Sequence, residues 1–172
     1  MSKDIKVAII GAGMAGILAA IKLKEFGIKN ISIFEKANGV GGTWRDNSYP
    51  GLHCDVPSHH YTYSFERNPN WSNFYSSGPE IREYFEGIFV KNKLEQFCFF
   101  NTEITNLTFK KGVWEITTNK AKTYEADIVI GATGVLHHPY LPDLEGINNF
   151  NGYKFHSAKW DHGLSLKKKK VG

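Results

Sequence analysis

Four consecutive apolar residues, Val7-Ala8-Ile9-Ile10, open the readable pattern of the chain. A run without alternation predicts a strand buried on both faces, as in a parallel sheet. A helix is predicted next, from about Met14 to Phe26, with Ile17, Ala20, Ile21 and the stem of Lys24 on one face and Gly27 as its stop. A second run, Ile31-Ser32-Ile33-Phe34, predicts another strand and ends at Glu35. From Lys36 to Phe65 the periodicity disappears into a long segment rich in glycine, aromatic residues and histidine. Trp44, Tyr49, Tyr61, Tyr63 and Phe65 give that segment too much to bury for a disordered tract, so a functional loop is expected.

Ser77-Gly78-Pro79-Glu80 reads as a capping box opening a helix whose stripe is Ile81, Tyr84, Phe85, Ile88 and Phe89. Strands are predicted at Phe97–Phe100, Glu103–Phe109, Val113–Thr118 and Ala126–Ile130, with Lys110-Lys111-Gly112 as a hairpin turn. The last of these is again apolar and runs into Gly131-Ala132-Thr133-Gly134, a second glycine-bearing turn. Such a turn is expected beside the first, at the carboxyl edge of the same sheet. Beyond Val135 there are prolines, glycines and histidines but little regular structure. The fold class is α/β: a Rossmann-like domain with a parallel sheet and a β-hairpin or meander insertion.

The turn after the first strand carries the chemistry. Gly11, Gly13 and Gly16 stand at the spacing G-x-G-x-x-G. Gly11 permits a tight turn, Gly13 lets the backbone approach a pyrophosphate, and Gly16 lets the helix pack on its strand. The helix N-terminus then offers free N–H groups and partial positive charge to phosphates. Glu35 lies where this fold places an acid on a ribose, about 20 residues further on. Alone, Glu35 would read as a solvated strand end. Strand, turn, helix, strand and acid in this order point to dinucleotide binding.

Composition narrows the field. The 172 residues are 41% hydrophobic and 22% charged, as in a globular protein with a sizeable core. The formal charge of +4 equals the run Lys167–Lys170, so nothing global suggests nucleic acid. No stretch reaches the 18 or so apolar residues of a membrane span, and Met1-Ser2-Lys3-Asp4 is no signal peptide. Cys54 and Cys98 fit neither a redox pair nor a metal site and read as reduced thiols of a cytoplasmic protein. The pairs His59-His60 and His137-His138 read as loop residues, and no metal site is expected. Of 24 aromatic residues, 13 fall between Tyr49 and Phe100, which suits either a wall for a flat ligand or aromatic core packing.

Three stretches together resemble the flavin-dependent monooxygenases, most closely the Baeyer–Villiger type. They are the glycine turn with Glu35, the run Gly41-Gly42-Thr43-Trp44-Arg45-Asp46-Asn47-Ser48-Tyr49-Pro50-Gly51-Leu52-His53-Cys54-Asp55, and Phe150-x-Gly152-x-x-x-His156-x-x-x-Trp160-Asp161. Trp160 and Asp161 favour the Baeyer–Villiger class over its relatives that oxidise nitrogen or sulfur. The resemblance implies FAD and NADPH as cofactors, and insertion of one oxygen of O2 into a ketone through a C4a-peroxyflavin. It assigns the FAD pyrophosphate to Gly11, Gly13 and Gly16 and the adenosine ribose to Glu35. Gly42, Thr43, Trp44, Arg45, Asp46, His53, Cys54 and Tyr61 are implied around the flavin, with Ala132, Thr133 and Gly134 also at the cofactor. Ile104 falls where the family makes a backbone contact to adenine. Asp55 is implied as catalytic, beside flavin and nicotinamide, orienting an arginine; an Asx turn closing Gly51–Asp55 is the plainer alternative. His156 is implied as a strut.

Family members are much longer, so residues 1–135 are expected to form the first part of an FAD domain and 136–172 a link towards an NADPH domain. Lys170-Val171-Gly172 resembles Lys6-Val7-Ala8, where a second nucleotide-binding strand would begin. The expectation is an incomplete protein with two dinucleotide-binding domains, inactive alone. A free-standing, non-catalytic FAD module and an N- or S-oxygenating enzyme are the alternatives.

Overall fold

The structure, a computed structural model, describes residues 4–172. The start read above as no signal peptide, Met1-Ser2-Lys3, lies outside the described residues. A four-stranded parallel sheet has the order β3-β2-β1-β7, formed by β1 (Lys6–Ile10), β2 (Asn30–Phe34), β3 (Cys98–Phe99) and β7 (Ile128–Gly131). A second, antiparallel sheet has the order β4-β5-β6, from β4 (Ile104–Lys110), β5 (Val113–Thr118) and β6 (Thr123–Ala126). Among the described residues there are three α-helices, α1 (Met14–Glu25), the single turn α2 (Thr43–Asp46) and α3 (Gly78–Lys91), besides short 3₁₀ segments.

The side-chain period of β1 explains the layers. Ile9 points to one face and joins Ile17, Ala20 and Ile21 of α1 with Ile81, Phe85, Ile88 and Phe89 of α3. Ala8 points to the other and joins Phe34, Ile116 and Ala126, so the antiparallel sheet covers that side. The central strand is therefore buried from both directions, as its unbroken apolar run predicts.

Helix α1 ends as expected. Gly27 has φ +83°, and Gly27 N–H and Ile28 N–H donate to the carbonyls of Lys24 and Leu23, a Schellman closure. Lys24 is half-buried; its ammonium donates to the Asn92 carbonyl and lies 5.6 Å from the centre of the Phe97 ring. The hairpin between β4 and β5 turns through Lys111 and Gly112, both at positive φ (50° and 85°), the handedness that a two-residue loop requires.

Four details depart from the sequence reading. The capping box is half formed: Ser77 Oγ accepts from Glu80 N–H at 3.4 Å, but the Glu80 carboxylate accepts from the N–H and hydroxyl of Ser72, each at 2.8 Å. Ser72 supplies two donors, so the carboxylate turns to the loop instead of the helix start. The strand predicted over Ala126–Ile130 is two strands in different sheets. Asp127 is the pivot between them: its N–H donates to the Lys6 carbonyl at 2.9 Å and its Oδ2 accepts from Lys6 N–H at 2.7 Å. β7 is moreover an edge strand, with Ile128 46% exposed, not a strand buried on both faces. Finally, the run Phe97–Phe100 yields only the two residues of β3, because a 3₁₀ turn takes Glu95–Phe97.

The aromatic residues mostly pack on one another: Tyr63 lies against Phe65, Tyr84 and Phe85, and Tyr84 against Trp71. Core packing thus accounts for most of the cluster. After β7 the regular structure among the described residues is two short 3₁₀ helices, Ile147–Asn149 and Ser157–Lys159.

Candidate functional site

The two glycine turns meet at the carboxyl edge of the parallel sheet. Gly11 has φ +103° and donates its N–H to the Phe34 carbonyl at 2.8 Å, tying β1 to β2. Ala132 N–H donates to the Ile10 carbonyl at 2.9 Å, which brings the turn after β7 alongside. A Cβ on Gly11 would stand 2.5 Å from the Ala132 carbonyl oxygen, and one on Gly16 would overlap the carbonyl oxygen of Gly11. Those two glycines are demanded by the protein's own packing.

Gly13 is different. It has the ordinary extended values φ −78° and ψ −172°, and the nearest atom to an added Cβ would be Gly42 Cα at 3.6 Å. Protein packing leaves room for a side chain there. Among the described residues no side chain caps α1 and no acid occupies its first turn, while Met14 is 43% exposed. The helix thus has an N-terminus without a side-chain cap and with a bare backbone at Gly13, an arrangement that suits a phosphate.

The Glu35 carboxylate closes one side. It is buried, not solvated: Oε2 accepts from Ala12 N–H at 2.8 Å and Oε1 from Ala37 N–H at 2.9 Å. Arg45 Nη1 stands 3.3 Å from Oε1. The same guanidinium donates to Asp46 Oδ1 at 2.7 and 3.0 Å and to the Gly39 carbonyl. The second motif is drawn to the first by Gly41 N–H, which donates to the Ala12 carbonyl at 3.1 Å, and by Gly42, whose Cβ would stand 3.2 Å from Gly13 Cα.

The remaining expected residues occupy several places. Thr43 opens α2, and the Trp44 ring meets Tyr61 edge-on at 5.0 Å. Burial pushes the Tyr61 hydroxyl above its usual range, and the negative charge of Asp55 adds to the effect. Asp55 itself is exposed. Cys54 is buried and donates its thiol to the Val56 carbonyl at 3.1 Å, whereas exposed His53 is hydrogen-bonded through Nδ1 to the Gly51 carbonyl at 2.9 Å. A cleft of about 370 Å³ runs between this loop and the start of α3, lined by Trp44, Tyr49, His53, Pro79 and Arg82 among others. Ile104 starts β4 and packs its side chain against the cluster of Phe34 and Ile116. Thr133 and Gly134 follow β7, and Gly134 has φ +78°.

Sequence reasoning missed the tie between the segment after β7 and the second motif. Ser48 Oγ and His162 Nε2 are hydrogen-bonded at 2.7 Å, and His137 Nδ1 lies 3.9 Å from Asp46 Oδ2. No spacing could have shown it, because the partners are far apart in the chain and lie in irregular loops. In the third motif His156 Nδ1 accepts from Ala158 N–H at 3.0 Å, and Phe155 meets Trp160 edge-on at 5.2 Å. Asp161 Oδ1 accepts from Gly163 N–H at 2.9 Å.

The profile of the family described as pyridine nucleotide-disulphide oxidoreductase matches residues 8–171. The chain belongs to this family. As a member of it, the chain is 44% identical over 172 residues to a Baeyer–Villiger monooxygenase of Pseudomonas aeruginosa, covering 99% of this chain and 33% of that protein. It is 37% identical over 177 residues to an FAD-binding monooxygenase of Aspergillus terreus, covering 98% and 32%. Among solved structures, cyclohexanone monooxygenase from Rhodococcus sp. Phi1 bound to NADP+ superimposes with a TM-score of 0.84 at 37% identity, over 94% of this chain and 32% of that one. The chain spans about a third of the length of these relatives.

Proposed function

We propose that this chain is the FAD-holding part of an FAD- and NADPH-dependent monooxygenase that inserts one oxygen of O2 into a ketone. The observation that carries the reading is the buried Glu35 carboxylate, fixed on Ala12 N–H beside an uncapped helix N-terminus and a Gly13 whose nearest neighbour to an added Cβ would be Gly42 Cα, at an ordinary contact distance of 3.6 Å. A dinucleotide needs that combination: backbone donors and room for its pyrophosphate, and an acceptor for its ribose. Gly11, Gly13 and Gly16 form the pyrophosphate turn, and Ala132, Thr133 and Gly134 flank it. The backbone at Ile104 meets the adenine. Gly42, Thr43, Trp44, Asp46, His53, Cys54 and Tyr61 form the flavin side.

When bound, reduced flavin supplies the electrons that activate O2. The chain's own residues bind and orient. Asp55, exposed beside Tyr61, is placed to hold an arginine from elsewhere in the protein by ion pairing, a pairing that favours both charged forms. Residues 1–135 constitute the FAD-binding part, and residues 136–172 link it to an NADPH domain. Trp160 and Asp161 support ketone chemistry, as do the relatives named for it. Among the described residues, no helix is long and apolar enough to cross a membrane.

A chimera tests the reading. Residues 1–172 replace the matching third of the Pseudomonas aeruginosa relative, and the product is offered ketones, sulfides and amines with NADPH. Conversion of a ketone to an ester or lactone is expected. Oxidation of sulfides and amines alone would move the site to the sister class.

A further inference from the structure

Arg45 stands at Glu35, the end of the site read as the adenosine end. Its side chain is only 9% exposed, that of Glu35 only 6%, and Nη1 lies 3.3 Å from Oε1. A guanidinium so buried needs acceptors around it, and it has three: Glu35, Asp46 and the Gly39 carbonyl. The carboxylate is almost fully engaged as well. Its two oxygens offer roughly four lone-pair sites. Ala12 N–H bonds Oε2, Ala37 N–H bonds Oε1, and the Arg45 guanidinium is ion-paired to Oε1 at 3.3 Å, so among the described residues the second acceptor site of Oε2 is the one left for a ligand.

We propose that Arg45 is a positioning residue for the cofactor's adenosine ribose. It locks Glu35 so that the remaining acceptor faces the ribose hydroxyls, and it ties the loop of Gly39–Asp46 to the first glycine turn. This rests on the reading of the site as an FAD site. Charge alone is not the requirement, because Asp46, Gly39 and Glu35 lie in different directions around one planar fork. Lysine, a single ammonium, can satisfy fewer of them at once.

The test compares FAD with its analogue carrying 2′,3′-dideoxyadenosine, each titrated into the 172-residue chain by flavin fluorescence. In the native chain FAD binds more tightly than the analogue, since only FAD has the hydroxyls that Glu35 accepts from. In Arg45→Gln the affinity for FAD falls by about tenfold or more, as for a hydrogen bond to a charged group, while that for the analogue changes little. Arg45→Lys lies between the two and serves if the glutamine variant does not fold. A purely structural role would weaken both ligands by the same factor, and that result overturns the proposal. Equal affinities of the native chain for the two ligands would instead overturn the ribose reading of Glu35, a distinct failure. No FAD binding at all by the native chain would overturn the FAD reading itself.

Discussion

The carbonyl oxygen of Ala132 stands 2.5 Å from where a Cβ on Gly11 would lie, so two turns 121 residues apart in sequence share one contact surface. The contact follows from the register of β1 and β7, in which Ile10 pairs with Gly131 and both strands turn at the next residue. Replacing Gly11 by alanine has two costs: a side chain at φ +103° and overlap with backbone that cannot move aside. Gly16→Ala meets the Gly11 carbonyl in the same way. Each substitution is expected to destabilise the chain by about 3 kcal/mol or more. Urea unfolding followed by circular dichroism measures it, and a loss under about 1 kcal/mol would show that the turns can part.

Gly13→Ala is expected to behave in the opposite way. The backbone there is ordinary and the nearest protein atom would be 3.6 Å from the new Cβ, so stability should change by less than about 1 kcal/mol. The methyl group does, however, enter the space proposed for the pyrophosphate. Unfolding and FAD titration on the same preparation separate the two effects. Retained FAD affinity would place the phosphates elsewhere.

The contrast among these glycines shows what was legible beforehand. β1, α1, β2 and Glu35 could be read because unbroken apolar runs and a glycine triplet each imply one local geometry. The turn at Lys111-Gly112 was legible for the same reason. β6 was missed because Thr-Tyr-Glu-Ala is short and mixed in polarity, although Tyr124 and Ala126 alternate inward as a half-buried strand should. The break at Asp127 was hidden because it depends on Lys6, which lies in a different part of the chain. The position of Arg45 was equally hidden: an arginine in a loop carries no period, and only the approach of Glu35 decides where its guanidinium rests.

Cys98 makes the alkaline limb of stability testable. Burial, with help from Glu35 and Glu95, pushes its thiol from the ordinary 9.0 up to about 12. The protonated form is favoured in the folded chain, so below pH 9.0 both states hold the proton and the contribution is fully present. As pH rises from 9.0 to about 12, only the unfolded chain ionises and the contribution is lost. Cys98→Ala should therefore flatten the fall of unfolding free energy above pH 9.0. Some slope remains, because burial raises the Tyr63 hydroxyl as well. Identical alkaline slopes in the native chain and the variant would show that Cys98 ionises freely in the folded state.

The 172-residue chain is expected to bind FAD without turning over. Hydride delivery needs a site for NADPH, and the sequence holds one G-x-G-x-x-G turn, at Gly11, Gly13 and Gly16, whose phosphate is that of FAD in the function proposed above. Asp55 also needs an arginine, and the sequence contains only Arg45, Arg67 and Arg82. Arg45 is held by Glu35 and Asp46, and Arg82 pairs with Glu86 at 2.6 Å. Weak affinity and poor solubility are expected too, since Ile128 on the sheet edge and Val135, Leu136, Tyr140 and Leu141 beyond it are exposed. The measurement is NADPH absorbance after adding FAD to the purified chain, with and without a ketone. Consumption at the rate of free flavin is the expected result. Steady consumption above that rate, or acceleration by ketone, would mean that Arg67 or a second copy of the chain completes the site around Asp55.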